Sequence, residues 1–285
     1  MSIFSGIWIP LVTPFNAGAV DYRALAALIG RYRGAGAAGF VALGTTGEPA
    51  ALSQEEQDTV LATILRAAEG LPVIVGVAGN QAAALRERVL RLNDQPIDGL
   101  LVCAPYYIRP SQAGVIDHFS TLADASEKPI VLYDIPYRTG VRIELDTLLT
   151  LAAHPRIEAI KDCSGVADTT LALILDGRLQ VLAGNDDAMF VTMCMGGAGA
   201  IAATAHVRTE RFVAMYHALL RGDLAQGRAI YHELAPLLRA LVSEPNPAPV
   251  KAALAAQGWL ANELRAPMMP ASDALTRELA AFPVA

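Results

Sequence analysis

Along the chain, short runs of Val, Ile and Leu bounded by Gly or Pro alternate with longer stretches in which apolar residues recur every three or four positions. Runs of the first kind predict strands buried on both faces; stretches of the second kind predict amphipathic helices. The strand-like runs are 6–12, 39–43, 72–77, 98–103, 129–133, the stretch from Ile157 that carries Lys161, 179–182 and 198–202. Helical patterns follow them at 22–34, from Ser53, at 82–92, 111–125, 144–153, 167–175, 185–195 and 209–221. Ser53-Gln-Glu-Glu56 fits a capping box, in which the serine and the glutamate satisfy each other's backbone N–H.

Eight strand–helix units in 285 residues predict a closed (β/α)8 TIM barrel rather than an open doubly wound sheet. No G-x-G-x-x-G follows the first strand, which argues against a dinucleotide fold. Helical patterns continue at 223–242, 249–257 and 272–281, interrupted by Pro245, Pro247 and Pro249. The expected division is therefore a barrel over 1–221 and a C-terminal helical extension over 222–285. The extension is too small and broken for a core of its own and should pack on the barrel.

One strand carries unusual chemistry. From Arg156 the chain reads Arg-Ile-Glu-Ala-Ile-Lys-Asp-Cys-Ser-Gly, and alternation puts Ile157, Ala159 and Lys161 on one side of the strand. A lysine is thus delivered at the C-terminal end of an apolar strand, where barrel enzymes keep their chemistry. A desolvated amine there can lose its proton and attack a carbonyl; the plainer expectation is an ammonium pointing into water. A free lysine has pKa about 10.4, and lowering it to about 7–8 takes roughly 4 kcal/mol of differential destabilisation of the charged form. Ile135, Ala159 and Ile201 are expected to enclose it. Tyr133 shares a face with Val131 and should point toward Lys161, while Arg138 offers a planar fork for a carboxylate. Gly44-Thr45-Thr46-Gly47 turns tightly after the second strand, so that its amides and hydroxyls can converge on an anion or serve as a plain turn. Tyr106 and Tyr107 form an aromatic pair in the loop after the fourth strand, suited to an interface or a site.

Composition narrows the classes. The net charge is -6 with no basic stripe, so neither nucleic acid nor an anionic membrane is an expected partner. No run approaches about 20 uninterrupted apolar residues, and no signal-peptide pattern opens the chain. Cys103, Cys163 and Cys194 are widely spaced in apolar segments and read as reduced core residues of a cytoplasmic protein. The five histidines fall mostly on helical segments, and no cluster has metal-ligand spacing.

A set of motifs spans nearly the whole chain: Val-Thr-Pro-Phe at 12–15, Gly-Thr-Thr-Gly-Glu at 44–48, Pro-Tyr-Tyr-Ile-Arg-Pro-Ser-Gln at 105–112 and Tyr-Asp-Ile-Pro-Tyr-Arg-Thr-Gly at 133–140. It continues with Ile-Lys-Asp-Cys-Ser-Gly at 160–165, Gly-Asn-Asp-Asp at 184–187 and Glu-Pro-Asn-Pro at 244–247. In these the chain resembles the dihydrodipicolinate synthase/N-acetylneuraminate lyase family of class I aldolases. The resemblance implies that Lys161 forms a Schiff base with the keto carbon of pyruvate, with no other cofactor and no metal. It implies that Tyr133 shuttles protons, linked through Thr45 to Tyr107 of a neighbouring subunit. Thr45 and Thr46 would hold the pyruvate carboxylate, Arg138 the carboxylate of aspartate semialdehyde, and backbone near Gly184 and Ile201 would line the rest. It also implies a homotetramer built as a dimer of dimers.

The chain departs from the family pattern at four places. Asp134 stands for the usual Asn, Tyr137 for a small residue and Asp162-Cys163 for the usual Glu-Ala, and Asn185 also differs. Pro49, Ala50, Gln54 and Gln57 stand in the segment where lysine-inhibited members have a Ser-Ala and two His, although Asn80 and Tyr106 are kept, so weak or absent inhibition by lysine is expected.

Overall fold

The computed structural model describes residues 3–282. Eight parallel strands close into a barrel: Gly6–Pro10, Gly39–Ala42, Val73–Val77, Gly99–Cys103, Ile130–Asp134, Ile157–Asp162, Gln180–Ala183 and Gly199–Ile201. Each is the strand expected at its place, with ends moved by a few residues. The fifth gains Asp134 and the second loses Leu43, whose φ of 53° takes the backbone out of the sheet. A two-stranded antiparallel hairpin, Phe15–Asn16 with Ala19–Val20, lies outside the barrel and is too short to leave a periodic signal.

Helices follow the strands in the expected order. Tyr22–Gly34 starts at Asp21, whose carboxylate accepts the Ala24 N–H, and it buries Leu25, Leu28, Ile29 and Tyr32 along one stripe. Each such burial is worth about 1.5–3 kcal/mol. The capping box forms on Gln54–Ala68, with Ser53 and Glu56 satisfying each other. Three helices end the described chain, Leu224–Val242, Ala248–Ala256 and Asp273–Ala280, the first with Pro236 inside it.

The chain forms two compact units: residues up to 5 with 74–200, and 6–73 with 201 onward. The first carries the strands from Val73–Val77 to Gln180–Ala183 almost entire. The second joins the first two strands to the helices after residue 201, Thr209–Leu220 packing on Leu224–Val242. No helix among the described residues is long and apolar enough to cross a membrane.

Not every cysteine is in the core. Cys163 is buried, but Cys103 is half-buried and Cys194 is exposed. Cys194 ends the short helix Met189–Cys194, which turns Met189, Thr192 and Met193 inward and leaves Val191 and Cys194 outside.

Candidate active site

In the first unit, parallel pairing sets the side chains in rows. Cys103 is in register with Tyr133, Tyr133 with Lys161, and Lys161 with Leu182. The register shifts between Ile130 and Val131, so that Ile157 answers Ile130 and Ala159 answers Val131. Regular alternation along the sixth strand therefore holds from Ala159 onward rather than from Ile157. Lys161 is only 7% exposed, and its Nζ lies 4.4 Å from the centroid of the Tyr133 ring. The ammonium pointing into water is thus not what forms. Burial pulls the Lys161 pKa below its ordinary value, with Cys163 and Asp186 opposing and Arg138 assisting. Tyr133, also buried, has its phenol pushed well above the usual value by the same desolvation.

Close packing holds this pair. A Cβ on Gly184 would lie 2.4 Å from Cys163 Sγ and 2.8 Å from Lys161 Cγ, so no side chain fits there. Gly184 N–H donates to Asp162 O at 2.8 Å, and Cys163 N–H donates to Asp134 O at 2.8 Å, stitching the three strand ends together. Beyond Lys161, Asp162 accepts the Ser164 N–H at 2.8 Å and the Thr170 hydroxyl at 2.5 Å, tying the loop to helix Ala167–Asp176. Burial pushes the Cys163 thiol up to about 12, so it remains a thiol beside the lysine.

Asp134 points away from this row and is itself buried. Its Oδ1 accepts the Ile143 N–H at 3.3 Å, while Oδ2 has no partner among the described residues. Burial first, and the neighbouring Asp162, push its carboxyl up to about 7, against the pull of Ile143 and Arg142. The intervening loop makes one helical turn, Pro136–Thr139, closed by Gly140 at φ +79°. It presents Arg138 and Tyr137 to solvent, with the guanidinium 5.6 Å from the Tyr137 ring centroid. Tyr107 N–H donates to Thr139 O at 2.9 Å, joining this loop to the one after the fourth strand. Tyr107 has φ 72°, in the left-handed region, and is 88% exposed between exposed Tyr106 and Ile108.

In the second unit, residues 45–47 form a single 3-10 turn, Thr45–Gly47, with Thr45 exposed and Thr46 buried. Thr13 Oγ1 donates to Gly47 O at 2.7 Å, and Asn246 Nδ2 donates to Thr46 Oγ1 at 2.9 Å. Glu48, buried at φ 53°, pairs at 2.5 Å with Lys251, which is 0% exposed. Ile201 is buried at the end of the eighth strand. The Thr45 hydroxyl makes no hydrogen bond to protein among the described residues, so its link to Tyr133 and Tyr107 remains an implication of the resemblance. Among the described residues no three His, Cys, Asp or Glu side chains are grouped to hold a metal ion. His206, fully buried, accepts the Val12 N–H at 3.3 Å and is held neutral by burial, with its pKa near 4.

Three contributions escaped the sequence reading. Asp186 acts electrostatically on Lys161 and Cys163, although Gly-Asn-Asp-Asp signalled only a motif. Asn246 and Lys251 belong to Glu-Pro-Asn-Pro-x-Pro-Val-Lys, which marked the family without indicating that both residues reach the loop at 44–48.

The model of the dihydrodipicolinate synthetase family matches residues 3–282. A 4-hydroxy-tetrahydrodipicolinate synthase of Haloarcula marismortui is 39% identical over 274 residues, covering 95% of this chain and 90% of that one. One from Hyphomonas neptunium is 41% identical over 271 residues, covering 93% and 92%. The crystal structure of dihydrodipicolinate synthase from Thermotoga maritima superposes with a TM-score of 0.94 at 31% identity, covering 98% of this chain and 97% of that one. A barrel with a desolvated lysine beside a buried tyrosine, matched from end to end in sequence and backbone, places the chain in the dihydrodipicolinate synthetase family.

Proposed function

We propose that the chain is a lyase that condenses pyruvate with L-aspartate 4-semialdehyde to 4-hydroxy-tetrahydrodipicolinate, the reaction of lysine and diaminopimelate biosynthesis. The observation that carries this reading is the Lys161 amine, buried against Tyr133 with its pKa lowered by desolvation. A neutral amine there adds to the keto carbon of pyruvate, and loss of water leaves an imine on Lys161. The positive imine nitrogen draws electrons from the pyruvate methyl, which loses a proton to give an enamine. The enamine carbon then attacks the aldehyde, and hydrolysis or cyclisation frees the lysine. Tyr133 is assigned the proton transfers, with Thr45 and Tyr107 as its relay. Thr45 and Thr46 are assigned the pyruvate carboxylate, Arg138 the carboxylate of the aldehyde, and backbone near Gly184 and Ile201 the remaining pocket wall.

The exposed Arg138 suits an acidic aldehyde arriving from solvent. One observation favours a second reading. Tyr137, 68% exposed and stacked near Arg138, stands where the family usually has a small residue, which fits a pyruvate aldolase or hydratase-aldolase acting on a different aldehyde. The exposed, left-handed Tyr107 supports its insertion into a neighbouring subunit, in a homotetramer acting in the cytoplasm. One structural neighbour is a monomeric dihydrodipicolinate synthase variant; light scattering in solution is expected to give a tetramer here, and an active monomer would remove Tyr107 from a neighbour's site.

Borohydride reduction in the presence of pyruvate should add one reduced pyruvate to the protein mass, and Lys161→Ala should abolish the increase. No adduct on the unaltered protein would replace the enzyme by an inactive keto-acid-binding barrel. Rates across a panel of aldehydes separate the two enzymatic readings, since both predict the trapped imine.

A further inference from the structure

Thr46 is 3% exposed, and its Oγ1 accepts a 2.9 Å hydrogen bond from Nδ2 of Asn246, a residue two hundred positions away. A threonine hydroxyl has one proton to donate and two lone pairs. Asn246 fills one lone pair, and among the described residues no protein group accepts the Thr46 proton. That proton is therefore left for an acceptor from outside the protein. The path of the loop is held by other contacts. Gly47 N–H donates to Gly44 O at 2.9 Å, Thr13 Oγ1 donates to Gly47 O at 2.7 Å, and Glu48 is paired with Lys251 at 2.5 Å. What Asn246 adds is the direction of one O–H bond.

We propose that Asn246 is a positioning residue for the 2-oxo acid: by donating to Thr46 Oγ1 it turns the threonine into an obligate donor to the substrate carboxylate. The inference rests on reading Thr46 as the carboxylate receptor and names the residue that makes it one. Without Asn246 the hydroxyl rotates among alternatives, and the bond to the anion is made at the expense of that freedom. A hydrogen bond to a charged group contributes about 1.5–3 kcal/mol, and each 1.4 kcal/mol is tenfold in binding, so Thr46→Val, which loses the bond to the carboxylate, should raise the half-saturating pyruvate concentration about tenfold or more. Asn246→Ala only frees the hydroxyl among about three staggered wells and should raise it about threefold.

The test measures half-saturation by pyruvate, both in turnover and in borohydride trapping, for Asn246→Ala, Thr46→Val and the double variant, with melting temperatures alongside. Asn246→Ala is expected to raise half-saturation about threefold in both assays, less than Thr46→Val does, with a much smaller effect on kcat at saturating pyruvate. The double variant should bind pyruvate no more weakly than Thr46→Val, because the amide has nothing to orient once the hydroxyl is gone. Asn246→Asp should bind more weakly than Asn246→Ala, since a carboxylate only accepts, captures the Thr46 proton and repels the substrate. Independent, multiplying effects of the two single changes would overturn the proposal. So would a lowered melting temperature and kcat with unchanged half-saturation, or Asn246→Asp binding as well as the unaltered protein. If Thr46→Val leaves pyruvate half-saturation unchanged, the carboxylate assignment itself falls and takes the inference with it. A raised value in Thr46→Val with none in Asn246→Ala sinks the inference alone.

Discussion

Lys161 and Tyr133 occupy one row of the sheet, yet burial acts on them in opposite senses. It makes the ammonium easier to deprotonate and the phenol harder. A neutral amine beside a protonated phenol is the combination that imine formation needs. Tyr133→Phe should leave pyruvate trapping largely intact while slowing turnover by about 10²–10⁴-fold, the range for a general acid–base group; a loss below tenfold would remove it from the mechanism. Asp134 offers a different test. Its folded pKa, near 7, lies above the ordinary carboxylate value of 3.8, so the folded protein holds a proton that the unfolded chain gives up. Stability tied to that proton is complete below about pH 4 and is lost as pH rises toward 7. Asp134→Asn, which restores the family's usual residue, should therefore be more stable than the unaltered protein at pH 8 by roughly 4 kcal/mol and melt above it. The gap should narrow steadily as pH falls toward 4. A gap independent of pH would show that Asp134 is ionised in the fold. Nothing in the neighbouring residues announced this: the orphaned Oδ2 depends on strand pairing with Asp162 and on the return of the chain at Ile143.

At the scale of elements, three strand ends are packed without slack around Gly184. Gly184→Ala should distort the Lys161 side chain, lower activity by at least tenfold and destabilise the fold by about 1–3 kcal/mol, as overpacking does. Adding Cys163→Ala removes the 2.4 Å clash but not the one with Lys161 Cγ, so thermal unfolding should show part of the stability returning and assays little of the activity. The elements themselves were readable because each is a local object. Period-2 and period-3.6 patterns, the Ser53 capping box and the flanking glycines act over a few residues. Departures came where non-local packing intervenes: the register shift beside Glu158, the single helical turn at Pro136–Thr139 and the exposed face of Met189–Cys194.

For the molecule as a whole, the residues after 201 are joined in one compact unit with the first two strands, and buried Lys251 is one reason. Its Nζ pairs with Glu48, donates to Glu263 O at 2.9 Å and lies 4.2 Å from the Phe15 ring centroid. Lys251→Met leaves the buried Glu48 carboxylate without its ammonium, with only the Arg265 N–H still donating to it at 3.3 Å, and should destabilise by about 3–5 kcal/mol in denaturant titration. Pairing it with Glu48→Gln should recover much of that loss. A chain ending at Arg221 is expected not to reach a folded monomer, since it also lacks the helix on which Thr209–Leu220 packs.

The order of strands and helices, the closed barrel they build and the delivery of an amine to a strand end were determined by the sequence alone. They follow from residue spacing within one strand or one turn, which every stretch of chain carries for itself. Whether that amine is dry, whether Asp134 keeps its proton and which distant side chain steers Thr46 were decided only by the tertiary structure. Desolvation and hydrogen-bond direction are set by atoms that the fold brings together from as far as two hundred residues away.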